Sequence, residues 1–392
     1  MAQRLKTLSN RRSALQRLVA GGAAVLGLPA MAQRPADKRL VIGQSAALTG
    51  PAAQLGLQMN RGANLAFERV NAEGGVNGRS IELRVLDDGY EPDRCRANTA
   101  ALIKDGVFAL FGYVGTPTSL AALPLLTAAQ VPFVAPFSGA EALRVPFNRQ
   151  VFHVRASYYD ETALIVRQLT ALDLKRIAVL RQNDSYGQAG IDGVTRALAG
   201  HNLKPVAVGL VERNSTDVAA AVATIVPVRP DAVVMIGAYK GCAAFIRAAR
   251  AAGYGGNFYN VSFVGTQALA DALGKDAGGV VISQVMPYPF STTTPIAREY
   301  GEAVRRAGIN SSTNISASAN YSSIEGYIGA KVFVEGLRRA GANPTREALI
   351  AGLESLQRYS VGGYLVDFGA YDHVGSNFVE LSMLTADGKV RR

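Results

Sequence analysis

The stretch Phe111-Gly112-Tyr113-Val114-Gly115-Thr116-Pro117-Thr118 follows the apolar run Val107-Phe108-Ala109-Leu110-Phe111, whose length and composition read as a buried β-strand. Gly112 and Gly115 permit a tight turn where the chain leaves that strand. Thr116 suits an N-cap and Pro117 the first helical position, where the missing N–H has no partner to lose. A helix that starts at the carboxyl end of a parallel strand presents free backbone N–H groups and a partial positive charge, which together favour an anion. A second turn, Pro136-Phe137-Ser138-Gly139, follows the next apolar strand and is expected beside the first. The two turns then form half of a ligand cleft.

Outward from this stretch, strand and helix alternate. Strands are expected at 40–43, 81–86, 107–111, 131–135 and 151–154. Between the first two lies a helix whose Met59, Ala63, Ala66, Phe67 and Val70 share one face. The rhythm restarts after Arg155, with strands at 176–180, 205–211, 232–236 and 257–260. The loop Gln182-Asn183-Asp184-Ser185-Tyr186-Gly187 follows the first of these. A strand at 280–285 is read as returning to the first half. Repeated β-α units imply an α/β fold of two doubly wound parallel-sheet lobes joined by a multi-strand hinge. The expected division is 39–155 plus 284–360 for lobe 1, and 156–283 plus 361–392 for lobe 2.

Composition narrows the function. Of 392 residues 48% are apolar and 18% charged, which suits a globular chain with a large core. The formal charge of +11 is misleading, because Arg4, Lys6, Arg11, Arg12 and Arg17 all fall in the first 32 residues, where there is no acid. Without them 36 bases face 30 acids with no basic block, so nucleic-acid binding lacks its electrostatic footprint. Residues 1–32 read as an export signal: a positive start, an apolar run at 18–28 too short to span a bilayer, and small residues at Ala30-Met31-Ala32 for cleavage. Arg11-Arg12 resembles a twin-arginine signal without its usual aromatic, so either the Tat or the Sec route fits. The expected location is the periplasm. Cys95 and Cys242 are the only cysteines; they either bridge two lobes or stay as two buried thiols.

Reaction chemistry is missing from the motifs. His153, His201 and His373 are far apart and lack metal-ligand spacing. There is no Gly-x-Ser-x-Gly elbow, no Walker loop, and no Gly-x-Gly-x-x-Gly after the first strand. Asp87-Asp88 reads as a strand end rather than an acid/base pair. No enzyme, metal or cofactor is expected.

Leu48-Thr49-Gly50-Pro51 with Gly56, Asn71-Ala72-Glu73-Gly74-Gly75-Val76-Asn77-Gly78, Asp87-Asp88, the 112–118 turn, Asn183-Asp184-Ser185-Tyr186-Gly187 and Ala248-Ala249-Arg250-Ala251-Ala252-Gly253 occur in a characteristic order. Over about 39–385 the chain resembles the type I periplasmic binding proteins of ABC importers, of the leucine/isoleucine/valine-binding kind. The resemblance implies a monomeric two-lobed clamp that closes on a small carboxylate-bearing ligand and delivers it to an inner-membrane permease. The alternative within the same fold is a ligand sensor acting in signalling. By position, Thr116 and the turn holding Ser138 and Gly139 correspond to carboxylate-binding positions. Phe137 and Tyr113 lie in the same two turns and join the expected set. Leu55 corresponds to a side chain over the ligand, and Tyr186 and Tyr239 to ligand-covering tyrosines of the second lobe. One departure stands out. Amino-acid-binding relatives carry an acid after the strand at 257–260 to meet the ligand ammonium, whereas here the sequence is Val261-Ser262-Phe263-Val264-Gly265-Thr266-Gln267. Asp184 or Asp160 could substitute. Otherwise an organic or aromatic acid without an α-amino group stands beside branched-chain and aromatic amino acids as candidate ligand, since a buried, unpaired ammonium is costly.

Overall fold

The computed structural model describes residues 39–308 and 319–392. The export signal expected over 1–32 lies outside those residues. The first half runs β1 (Arg39–Ala46), α1 (Ala53–Ala72), β2 (Ser80–Asp87), α2 (Pro92–Lys104), β3 (Leu110–Phe111), α3 (Thr116–Ala128), β4 (Phe133–Val134) and β5 (Val151–Phe152). Its sheet has the order β2-β1-β3-β4-β5, all parallel. The second half runs α4 (Tyr158–Ala171), β6 (Ile177–Gln182), α5 (Ser185–Ala199), β7 (Val208–Val211), α6 (Ala219–Ile225), β8 (Ala232–Ile236), α7 (Tyr239–Ala251), β9 (Asn257–Asn260), α8 (Thr266–Leu273) and β10 (Val281–Gln284). These strands follow the same order, β7-β6-β8-β9-β10, again parallel. The chain continues through α9 (Pro295–Arg306), α10 (Tyr321–Arg339), α11 (Arg346–Glu354), β11 (Tyr359–Val361), β12 (Tyr364–Val366), β13 (Glu380–Leu384) and β14 (Val390–Arg391). Strands β13 and β14 extend the second sheet antiparallel beyond β10.

The strand expected to return to the first lobe does not do so. β10 pairs in register with β9 and β13, so it belongs to the second sheet and the crossing follows it. Its alternation of apolar and small residues fits a parallel strand in either lobe, and only the pairing partner distinguishes them. After β10 the chain rejoins lobe 1, where α10 packs along α1 and α11 packs on α10. It crosses again to reach β13. With the passage from β5 to α4, the lobes are joined at three places. Tyr364 pins them: its buried hydroxyl lies 2.8 Å from the carbonyl of Val154 in the first crossing and 3.2 Å from that of Val285 in the second. The third crossing pairs with the first, through His153 N to His373 O and Gly375 N to His153 O, both at 2.8 Å.

Cys95 and Cys242 are free and buried, each in a different lobe. Burial pushes both thiols up to about 12, as expected for inert core residues. Among the described residues no helix is long and apolar enough to cross a membrane.

Candidate ligand-binding site

In an open parallel sheet, ligands collect at the carboxyl ends of the strands where the strand order reverses. In lobe 1 that point lies between β1 and β3, and the helices leaving it are α1 and α3. In lobe 2 it lies between β6 and β8, followed by α5 and α7. Leu55, Thr116, Tyr186 and Tyr239 all sit in the first turns of these four helices.

The turn into α3 differs by one residue from expectation. Gly115, not Thr116, is the N-cap, with φ 106° and ψ 154°, a conformation that a side chain would strain. A Cβ there would also stand 2.2 Å from the ring of Tyr90. Thr116 is therefore the first helical residue, and its hydroxyl is released from capping. It lies 2.8 Å from the hydroxyl of Ser138, and both residues are fully buried. Ser138 Oγ also accepts from Ala140 N at 3.2 Å. Only one hydroxyl proton is used between the two oxygens, so the other remains to be donated. Gly139 lets the second turn approach lobe 2: a Cβ there would meet the Tyr158 ring at 2.6 Å, and its carbonyl accepts from Tyr158 N at 2.7 Å.

Opposite these turns stands an aromatic wall. Phe263 follows β9 and reaches Tyr186 at 4.7 Å between ring centroids, Phe137 at 5.5 Å and Tyr90 at 5.9 Å. Tyr158, the first residue of α4, lies 5.3 Å from Tyr186. Each such pair contributes about 0.5–1.5 kcal/mol beyond its buried area. The hydroxyl of Tyr186 is buried and finds no hydrogen-bond partner among the described residues, whereas that of Tyr158 adjoins the Thr116 hydroxyl and the Gly139 backbone. An unpaired donor is costly inside a protein, so the Tyr186 hydroxyl marks a place for an acceptor. Tyr90, by contrast, receives Gln182 Nε2 at 3.2 Å across the lobes.

The charges of the cleft come from the hinge. Arg155, in the first crossing, is 1% exposed and lies 4.9 Å over the Phe137 ring. Its Nη2 donates to Ser262 Oγ and lies 3.4 Å from Glu161 Oε1. Glu161, in the first turn of α4, accepts from Ser262 N at 2.7 Å, Ser262 Oγ at 2.9 Å and Ser283 Oγ at 2.6 Å. An acid therefore does occupy the position after β9, delivered from another element and filled by protein donors. Neither alternative acid is available: Asp184 caps α5 through Tyr186 N and Gly187 N, and Asp160 closes a capping box with Ser157. Arg144 braces the Ser138 turn from behind, donating to the carbonyls of Ala140, Arg155 and Ala156 at 3.0–3.3 Å.

Of the residues expected in the site, Thr116, Ser138, Gly139, Phe137 and Tyr186 come together. Leu55 and Tyr239 lie at the rim. The Leu55 side chain packs on Gly265, where a Cβ would stand 2.4 Å from its Cδ2, and the Tyr239 hydroxyl lies against the Gln54 backbone. Tyr113 is not brought to the cleft. It points to the other side of the sheet, into a core with Phe133 (5.1 Å between centroids), and its hydroxyl meets Thr99 at 3.2 Å. Gly112, at φ 62°, breaks the two-residue alternation after Phe111, so Tyr113 turns away from the Phe111 side and onto the face covered by α2 and α3. Reasoning on the sequence missed Tyr90, Tyr158, Arg155, Glu161, Phe263 and Glu325. The capping pattern Ser157-x-x-Asp160 could have flagged Tyr158 at a helix start, but nothing in the sequence brings the others together.

Two sheets of one topology, joined at three crossings and meeting over buried aromatic rings, hydroxyls and a guanidinium, define a two-lobed binding protein. The chain belongs to the periplasmic binding protein family, whose model matches residues 40–389, and it is of the type I, leucine/isoleucine/valine-binding kind. It is 24% identical over 268 residues to the Leu/Ile/Val-binding protein of Escherichia coli K12, covering 68% of this chain and 72% of that one. A crystal structure described as a possible leucine/isoleucine/valine-binding protein from Rhodopirellula baltica superimposes with a TM-score of 0.85 at 35% identity, covering 91% of this chain and 97% of that one. The fatty acid ABC transporter substrate-binding protein of Thermomonospora curvata shares the fold at 23% identity, with a TM-score of 0.77 and 90% of each chain covered.

Proposed function

We propose that this protein is the solute-binding component of an ABC importer, and that its ligand is a small apolar or aromatic carboxylate without an α-amino group. The observation that carries this reading is the imbalance of donors and acceptors in the cleft. Tyr186, one hydroxyl of the Thr116–Ser138 pair and two nitrogens of Arg155 have hydrogens unspent, whereas Glu161 is saturated and the one carboxylate beside them without donors, Glu325, already faces Arg155 Nη1 at 3.6 Å. A carboxylate supplies acceptors to such a set, while an ammonium would add donors to it. The rings of Phe137, Phe263 and Tyr90 suit an apolar body. That the same fold serves a protein named for fatty acids is consistent with an acid lacking an amino group.

In this reading lobe 1 takes the carboxylate at Thr116 and Ser138. Closure then brings Tyr186 and Phe263 of lobe 2 over the ligand and excludes water, which strengthens the polar contacts. The protein acts in the periplasm as a monomer after cleavage of the signal behind Ala32, and passes its ligand to an inner-membrane permease.

Matched pairs test the ligand class directly. Isocaproate and hydrocinnamate are leucine and phenylalanine without the amino group. In a thermal-shift assay the two acids should stabilise the protein and the two amino acids should not; the reverse result overturns the reading. Thr116→Val and Ser138→Ala should each weaken isocaproate binding by about 1–3 kcal/mol, since each leaves a buried acceptor without its donor. Calorimetry showing unchanged affinity in both would remove the anion role of this pair.

A further inference from the structure

Arg155 is the largest fully buried side chain among the described residues, and its guanidinium is only partly used. Nη2 serves Ser262 and Glu161, but Nε and Nη1 donate no hydrogen bond among the described residues. Between them they carry three N–H donors. Arg155 lies over Phe137, the residue before Ser138, so those donors belong to the same cleft as the Thr116–Ser138 pair.

Two carboxylates flank this guanidinium, and they are solvated very differently. Glu161, on the lobe 2 side, accepts three hydrogen bonds from Ser262 and Ser283 in addition to its arginine contact. Glu325, from α10 of lobe 1, is 4% exposed and lies 3.6 Å from Arg155 Nη1. No hydrogen bond is donated to it among the described residues. The charged groups that face Glu325 are Arg155 from the first crossing, Glu161 from α4 and Arg144 from the turn after β4. The titratable Tyr364 of β12 also adjoins it. The two arginines and two glutamates balance, so a monoanion added to this buried group leaves one negative charge uncompensated. An uncompensated buried charge costs several kcal/mol, and neutralisation of the acid with the fewest donors is the inexpensive remedy.

We propose that Arg155 holds the ligand's carboxylate in the closed cleft and that Glu325 takes one proton from solvent as the anion enters, making binding a coupled uptake of acid anion and proton. The proposal rests on the reading of the cleft as a carboxylate site. Burial already raises the Glu325 carboxyl to about 7, with Arg155 and Arg144 opposing and Glu161 adding to the rise. A second negative charge on Arg155 raises it further. The sign follows: above pH about 7 the ligand-free Glu325 is ionised and must be protonated for binding, so affinity falls as pH rises. Arg155 thereby becomes a specificity residue, favouring a monoanion whose charge one proton can offset.

Calorimetry with isocaproate and hydrocinnamate, run at pH 8 in buffers of low and high ionisation heat, reads the proton directly. The expected result is a buffer-dependent heat equal to about one proton per acid bound, with affinity about tenfold lower at pH 9 than at pH 8. Glu325→Gln should bind both acids with no buffer-dependent heat and no such pH dependence, while Arg155→Lys should bind them at least about tenfold more weakly. Acid binding by the unmodified protein with buffer-independent heat overturns the proposal and leaves the carboxylate reading standing. So does a Glu325→Gln protein that still takes up a proton. Failure of both acids to bind at pH 6 and at pH 8 overturns the carboxylate reading, and this proposal with it.

Discussion

In lobe 1 the helices leaving the switch point begin at Ala53 and Thr116; in lobe 2 their counterparts begin at Ser185 and Tyr239. Both pairs leave sheets of the same strand order, yet they present different chemistry. The lobe 1 face offers small hydroxyls on turns that glycine holds in place, Thr116 after Gly115 and Ser138 before Gly139. The lobe 2 face offers large rings, Tyr158, Tyr186 and Phe263, with one carboxylate buried and saturated behind them. Topology thus decides where a ligand can sit, and the residues at the helix starts decide what it can be. Under the proposed function, the small polar half would meet the ligand's charged end and the bulky half would cover its apolar body.

The comparison can be broken most severely on the lobe 2 side. Glu161→Ala removes the partner of a buried arginine and strands the donors of Ser262 and Ser283, so it should destabilise the fold by about 3–5 kcal/mol, read from denaturant unfolding. A loss under 1 kcal/mol would mean that the network is not the lobe's internal support. On the lobe 1 side, Gly115→Ala forces a side chain into a left-handed conformation and against the Tyr90 ring. A loss of about 3 kcal/mol is expected, and an unchanged melting temperature would show that the turn can relax. The smallest effect belongs to the rim that joins the lobes. Arg213 of lobe 2 meets Glu91 of lobe 1 at 2.8 Å, with one quarter of its side chain exposed, and Asn214 reaches the Gly89 carbonyl at 3.0 Å. Arg213→Ala should cost the closed form at most about 1 kcal/mol because solvent screens the pair. Solution scattering should then show a modest shift toward larger dimensions, and a fully open protein would show that the rim alone holds the clamp shut.

Much of this was legible because local rules act on neighbouring residues. The α/β alternation and the strand after which Thr116 appears follow from periodicity, turn residues and their spacing, whereas the tyrosines at 186 and 239 follow from the family resemblance alone. The one-residue error at the α3 cap arose because the sequence shows Thr and Pro as good starters but not the φ of Gly115. Tyr113 faces away from the cleft because the left-handed Gly112 reverses the alternation after Phe111, a backbone angle that residue types do not show. Strand β10 was misassigned because its sheet is chosen by distant partners, β9 and β13.

Residue pattern alone therefore determined two similar α/β lobes and the anion-favouring turns at Thr116 and Ser138, since these depend on contacts within a few residues. Only the tertiary structure decided the charge balance between those turns. Arg155, Glu161, Ser262 and Glu325 are separated by up to 170 positions in the chain and meet only because three crossings fold the lobes face to face. Buried electrostatics is a property of that meeting. In isolation each glutamate is an ordinary acid, and it is the number of donors each finds inside the closed protein that sets them apart.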